Sequence, residues 1–158
     1  LSEPAFDELL RRLAEADVEF VVVGGLALNA WGVVRGTKDV DVVVATDSGN
    51  IRRVADVAVA SGGHVQQGEA LLGSPFSIAA ALASGEQVAI ETDLGRLDVV
   101  QGLDGVPSFQ DLRSRAAEAE ILGSRVWICS REDLKAMKQA AGRTRDLADL
   151  EDLEAASD

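Results

Sequence analysis

The stretch RGTKDVDVVV, residues 35–44, constrains this chain more than any other. Its valine run has the β-branched residues and the period-two alternation of a buried strand. Successive side chains of a strand alternate faces, so Val40, Val42 and Val44 share one face while Asp39, Asp41 and Val43 share the other. Asp39 and Asp41 then stand with their Cβ atoms roughly 7 Å apart at the head of a strand whose other residues belong in a core. Two carboxylates held this way repel unless a cation lies between them, which makes the pair a candidate Mg²⁺ site with oxygen ligands. A second stretch, Leu97-Asp98-Val99, repeats the pattern. If its strand lies beside the first, Asp98 joins Asp39 and Asp41 on the open face while Leu97 and Val99 point into the core. Three converging carboxylates can hold one or two divalent ions, and such a clamp suits in-line displacement at phosphorus. A lone DxD is a weak signal, since an edge strand also shows acids to solvent; the neighbouring residues strengthen it.

Upstream, VVVGGLALNAWG puts Gly24 and Gly25 between a strand and a short helix. There the missing side chains let backbone N–H groups approach a phosphate, although a glycine pair also serves as a plain tight turn. No Gly-Lys-Ser/Thr follows, so this is not a Walker A loop, and the spacing is not GxGxxG. Arg35, Thr37 and Lys38 immediately precede the paired aspartates and are placed to reach nucleotide phosphates or to shield the carboxylates. Lys138 follows Leu134 by one helical turn, beside Met137 and Ala141, so its ammonium should follow the inward side of its helix. Asp146 and Asp149 share one helix face and read as an ion-pair set with Arg143 or Arg145.

The rest of the chain alternates helix and strand without repeats or low-complexity tracts. Phe6, Leu9, Leu10 and Leu13 predict an amphipathic helix over residues 4–16, with Ser2 and Pro4 as its cap and first-turn pair. Strands are expected at 18–23 and 40–45, with a short helix at 26–31 between them. Asp47 or Ser48 should cap a helix running to the Ser61-Gly62-Gly63 break. Residues 87–91 and 97–100 form a strand pair turning at 93–96. Residues 109–121 read as helix and 125–129 as strand. Ser130 starts a helix ending at Gly142, and Thr144 starts another bearing Leu147, Leu150 and Leu153. Residues 66–85 give no legible pattern. His64, the one histidine, makes no metal cluster, and Trp127 and Cys129 alternate as packing residues.

With 158 residues and 47% hydrophobic content the chain has the size of one domain with its own core. A single cysteine fits a reducing compartment, and the cytoplasm is the default localisation. The longest apolar stretch, residues 20–34, is too short for a bilayer span and contains three glycines. The net charge of −12 argues against a broad nucleic-acid surface and leaves room only for a local basic pocket.

The glycine pair, RGTKDVDVVV and ETDLGRLDVV together resemble the nucleotidyltransferase fold of the DNA polymerase β superfamily. The tail SREDLKAMKQAAGRTRDLADLEDL resembles small bacterial nucleotidyltransferases of the AbiEii toxin type. The resemblance implies an α+β domain over residues 1–158, with a mixed sheet, helices packed on one face and a helical tail from about 130 to 156. It implies Mg²⁺-dependent transfer of an NMP from an NTP to a hydroxyl, with pyrophosphate released. Asp39 and Asp41 would ligate metal, and Asp98 would complete the site and orient or deprotonate the acceptor. Gly24 and Gly25 would receive the triphosphate, with Lys138 and the Arg145-Asp146 pair near the site. The superfamily often has serine at the second glycine, and related small proteins often have histidine where Trp31 stands here. The toxin-like reading implies tRNA or protein as acceptor and a cognate antitoxin as partner. An antibiotic nucleotidyltransferase of aminoglycoside type is the alternative, because an acidic cleft suits a cationic acceptor. A catalytically degenerate, partner-binding domain of the same fold is the other.

Overall fold

The computed structural model describes residues 4–156. Helix α1, Phe6–Glu15, buries Leu9, Leu10 and Leu13 completely. Its N-cap position is Ala5, which offers no side-chain acceptor; Pro4 precedes the helix and Ser2 lies outside the described residues. The Ala5 N–H instead donates to the Leu94 carbonyl at 2.9 Å, so a turn of the sheet fixes the start.

Strand β1, Phe20–Val23, runs straight into helix α2, Gly24–Ala30. Strand β2, Asp39–Val44, follows, and helix α3, Ser48–Ala60, is capped by Asp47, whose carboxylate accepts from the Asn50 N–H at 3.0 Å. Asn50 is fully buried; its amide donates to the carbonyls of Ala45 (2.8 Å) and Glu19 (3.0 Å), and its oxygen accepts from the Glu19 N–H (2.8 Å). The interval without a sequence pattern contains a small hairpin, β3 (Val65–Gln67) and β4 (Ala70–Leu72), and helix α4, Pro75–Ala83. Strands β5, Val88–Thr92, and β6, Gly95–Val99, form the expected antiparallel pair.

Residues 109–121 are not one helix. Helix α5 covers Phe109–Arg115, and Ala117–Ile121 is strand β7, paired antiparallel with β8, Ser124–Ile128. Ala and Glu favour helix, yet AEAEI also alternates. Ala117, Ala119 and Ile121 turn to the core while Glu118 and Glu120 face outward, and pairing with β8 outweighs the local preference. Helices α6, Arg131–Ala141, and α7, Thr144–Ala156, form the expected tail. Ser130 caps α6 by accepting from the Asp133 N–H, and Gly142 ends it at φ +63. Ala141 and Leu147, expected on inward stripes, are exposed.

The main sheet is mixed, in the order β5-β6-β2-β1-β8-β7. Pairs β2–β6 and β1–β8 are parallel and the others antiparallel. Helices cover both faces rather than the one face expected. One face packs Val22, Val40, Val42, Leu97 and Val99 with residues of α1, α3 and α4. The other packs Val21, Val23 and Val43 with Ala27, Leu28, Leu112, Leu134 and Leu153, from α2, α5, α6 and α7. The strands alternate valine with valine along β1 and the end of β2, so both sides there need apolar cover. Val43 lies under that second cover; Asp41 and Asp39, on the same face, lie toward the end where it opens.

Candidate active site

Register brings the three predicted aspartates together. Val23 at the end of β1 pairs with Asp41, Asp41 pairs with Asp98, and Asp39 pairs with Arg96. In a parallel ladder paired residues face the same way, so Asp39, Asp41, Arg96 and Asp98 share one face. One carboxylate oxygen from each aspartate lies within 4.8 Å of the others. Asp98 is buried, and Asp39 and Asp41 are half-buried.

Such crowding perturbs the acids. Burial, then repulsion from Asp39 and Asp98, pushes the Asp41 carboxyl up to about 7. Asp39 is raised by the same causes, burial first and then Asp98, opposed by Arg96 and Arg145. A group of half-buried carboxylates this close favours a cation strongly, and oxygen donors are the hard ligands that Mg²⁺ takes. The residues present therefore fit the implied metal. Among the described residues, this is the one convergent group of three or more acidic, histidine or cysteine ligands found.

The glycine pair has a steric reason that the sequence did not reveal. Gly24 adopts φ +65, and a Cβ there would overlap the Asp41 carboxylate. A Cβ on Gly25 would lie 2.8 Å from the Thr37 hydroxyl oxygen. The Thr37 hydroxyl itself donates to the Asp39 carbonyl at 2.8 Å. Asn29, on α2, adds a support that was not anticipated: its amide donates to the Val33 and Arg35 carbonyls, both at 2.9 Å. The turn after β1 and the loop before β2 are thus packed and hydrogen-bonded into the floor of the acidic cluster.

A basic wall rises from the tail. Lys138 points inward as predicted, its Nζ 2.9 Å from Asp149 and 3.4 Å from Asp146. Burial holds its ammonium below the usual lysine range despite the Asp146 charge beside it. Asp149 also pairs with Arg35, tying the loop before β2 to α7. Asp146 accepts from Arg143 through Nε at 2.7 Å and through its backbone N–H at 3.1 Å. Burial works to raise the Asp146 carboxyl, but these Arg143 contacts and Lys138 hold it below its ordinary value. Both aspartates are essentially inaccessible; of the two arginines expected to pair with them, Arg143 pairs with Asp146 and Arg145 with neither among the described residues, while Asp149 is held by Arg35 and Lys138. Arg145 is exposed, makes no ion pair among the described residues, and its charge acts on Asp39. Lys38 is likewise exposed and without an ion pair.

Arg96 is the site residue the sequence reading missed. Its Nε donates to Asp98 at 2.9 Å. Two residues apart on one strand means one face, a signal present in LGRLDVV. Other conspicuous residues stay outside the cluster. His64 joins the sheet edge through backbone bonds to Glu91. Cys129 is buried, which pushes its thiol up to about 12, and Arg113 stacks over the Trp127 ring at 3.4 Å. Trp31 donates from Nε1 to the Cys129 carbonyl at 2.9 Å. A cavity of about 490 Å³ lined by Phe20, Arg113 and Trp127 opens at the opposite end of β1 from Asp41. No described helix is long and apolar enough to cross a membrane.

The profile of a family described as nucleotidyltransferase of unknown function (DUF6036) matches residues 5–156. No curated protein matches the sequence. Among solved structures, the lincosamide antibiotic adenylyltransferase LnuA, lincomycin-bound, superposes with a TM-score of 0.66 at 12% identity, covering 99% of this chain and 98% of that one. The antibiotic-resistance factor ANT(2'')-Ia gives a TM-score of 0.62 at 14% identity, over 98% and 83% of the two chains. An antigenic nucleotidyltransferase-like protein from Paracoccidioides brasiliensis gives 0.58 at 18% identity, over 95% and 72%. At these identities the likeness establishes the fold.

Proposed function

We propose that this chain, which belongs to the nucleotidyltransferase family matched above, moves an NMP from an NTP to an acceptor hydroxyl with Mg²⁺ as its cofactor. The observation that carries this reading is the convergence of Asp39, Asp41 and Asp98 within 4.8 Å beside the Gly24-Gly25 turn. Mg²⁺ held by these three carboxylates would supply the positive charge that polarises the transferring phosphate and balances the leaving pyrophosphate.

The chain's own residues do the rest. Gly24 and Gly25, whose missing Cβ atoms make way for the Asp41 carboxylate and the Thr37 hydroxyl, bring the start of α2 against the carboxylates where the triphosphate would lie. Arg145 and Lys38 are exposed cations without ion-pair partners among the described residues and are available to phosphate oxygens. Lys138 and Arg35 are held by Asp149 at the same mouth and add fixed positive charge. An Asp98 carboxylate oxygen accepts the proton of the acceptor hydroxyl. The acceptor oxygen then bonds to the α-phosphorus as the bond to the pyrophosphate oxygen breaks. This basic wall answers the charge problem of a protein at −12, because the triphosphate meets a local cationic surface.

A small hydroxylated acceptor is the favoured class. The chain matches 98% of the length of a lincosamide adenylyltransferase, and another neighbour of the same fold was solved with adenylyl-2''-tobramycin. A macromolecular acceptor, tRNA or protein, within a cytoplasmic toxin–antitoxin pair is the second reading, carried by the tail that brings Lys138 and Asp146 to the site. The test is incubation with each NTP labelled at the α-phosphate, Mg²⁺, and separately an aminoglycoside and lincosamide panel, total tRNA or total protein. Label on a small molecule supports the favoured class, and label on tRNA or protein supports the second. No label on any acceptor, or equal labelling by wild type and Asp41→Asn, overturns the reading.

A further inference from the structure

Among the three aspartates, Asp98 is distinct in being hydrogen-bonded to a guanidinium. Arg96 and Asp98 lie two residues apart on β6, whose backbone pairing with β2 and β5 is complete around them. The Arg96 side chain is 44% exposed and its partner in the pair is 7% exposed, so the guanidinium reaches from solvent onto a buried acid. The pair contributes to stability by neutralising a carboxylate that is itself buried. It also sets one thing that stability does not measure: which way the Asp98 carboxylate turns. With Nε at 2.9 Å from Oδ1, one oxygen is engaged and the other is left for the cluster or for an acceptor. On its other side Arg96 lies 4.0 Å from Glu91, an exposed carboxylate of β5. The guanidinium therefore sits at the boundary between the acidic cluster and the open edge of the sheet. Arg96 is the cation hydrogen-bonded to Asp98, and it also opposes the upward shift of Asp39, while the basic wall of α6 and α7 acts on Asp39 through Arg145 and on Asp41 through Lys138.

From this hydrogen bond we infer that Arg96 is a positioning residue for the acceptor side of the reaction, holding the Asp98 carboxylate in the orientation that receives the acceptor proton. The inference rests on the reading given under Proposed function. Its physical signature is a pair of opposite effects. A fixed cation beside the carboxylates opposes a divalent ion, so removing it strengthens metal binding. Removing it also frees Asp98 to turn, so turnover falls. A guanidinium serving only the fold would weaken both together.

The experiment compares wild type, Arg96→Ala and Arg96→Lys in two measurements on the full chain. Mn²⁺ alone is titrated by calorimetry as the metal probe, with melting temperature recorded alongside. Pyrophosphate release is then followed at saturating NTP and Mg²⁺ with whichever acceptor the wild type labels. Arg96→Ala is expected to bind Mn²⁺ about two- to tenfold more tightly while remaining folded, its metal-free melting temperature lowered by the unpaired Asp98 carboxylate. Its kcat is expected to fall roughly ten- to hundredfold with the KM for NTP unchanged. Arg96→Lys keeps the charge but not the planar fork, so its Mn²⁺ affinity stays at the wild-type value and its kcat is intermediate. Weaker or unchanged Mn²⁺ binding in Arg96→Ala, or an unchanged kcat, overturns the inference. A wild type that transfers nothing sinks the proposed function by itself. In that case the Mn²⁺ titration still decides whether Arg96 opposes metal at this cluster, with weaker or unchanged binding counting against it.

Discussion

Replacing Asp41 with asparagine should stabilise the metal-free protein, and only above the pH at which the carboxyl ionises in the unfolded chain. The native carboxyl is pushed from an ordinary value of 3.8 up to about 7, first by burial and then by Asp39 and Asp98. Because the folded-state value is the higher one, the charged form is penalised by folding. Below about pH 4 both states carry the proton and nothing is lost. Between about pH 4 and 7 stability falls, and above 7 the full penalty applies, on the order of 4 kcal/mol. Asparagine removes the charge but leaves a half-buried amide, so about 1 to 3 kcal/mol should be recovered. At roughly 2 to 4 °C per kcal/mol for a domain of this size, the variant should melt about 2 to 12 °C above wild type at pH 8. The assay is thermal unfolding in EDTA at pH 4, 6 and 8. The gap between variant and wild type should be near zero at pH 4 and widen with pH. A gap that is constant across pH, or a variant that melts lower at pH 8, refutes the reasoning.

Gly24→Ala should cost about 1 to 2 kcal/mol from its φ of +65 and, by displacing the Asp41 carboxylate, weaken Mn²⁺ binding; calorimetry and melting curves read both. Asn50→Ala takes the side-chain partner from the Glu19 N–H and the buried Ala45 carbonyl, while the Glu19 carbonyl keeps the Ala45 N–H, and should lower unfolding free energy by about 2 to 4 kcal/mol in urea titration, with no effect on metal binding. Arg145→Ala should leave the melting temperature within about 1 °C of wild type, because the side chain is exposed and makes no ion pair among the described residues. NTP affinity should nevertheless fall roughly tenfold, as loss of a charge-assisted phosphate contact requires.

The strands that carry the cluster were legible because one face of each is uniformly apolar. Val40, Val42, Leu97 and Val99 have no other place to go, and their burial fixes where Asp39, Asp41 and Asp98 must point. Adjacency of β2 and β6 was conditional in the sequence, since nothing local encodes which strands become neighbours. The interval 66–85 was opaque because its hairpin strands are three residues each, too short for a period to show. Residues 109–121 misled because AEAEI satisfies helix propensity and strand alternation at once, and only the partner strand β8 decides. The second helical layer was hidden for a related reason: Val21, Val23 and Val43 are apolar on the face already assigned to the acids, which required cover that one-face packing did not provide. Burial of Asp146 and Asp149 could not be read from spacing, which is the same for a solvated ion pair. The dependence of Gly24 on Asp41 joins residues seventeen positions apart and exists only in the folded chain.

The central claim is that three carboxylates form a metal-dependent nucleotide centre, and its most direct test is the melting temperature of wild type and Asp41→Asn with NTP, Mg²⁺ or both. A nucleotide bridged through metal stabilises the fold only when both are present. At about one hundred times the dissociation constant it contributes about 2.7 kcal/mol, or roughly 5 to 11 °C here. The account predicts that shift for wild type with both ligands, a much smaller one with either alone, and loss of the synergy in Asp41→Asn. Flat melting curves for wild type at millimolar NTP with Mg²⁺, or the same synergy in the variant, would contradict it.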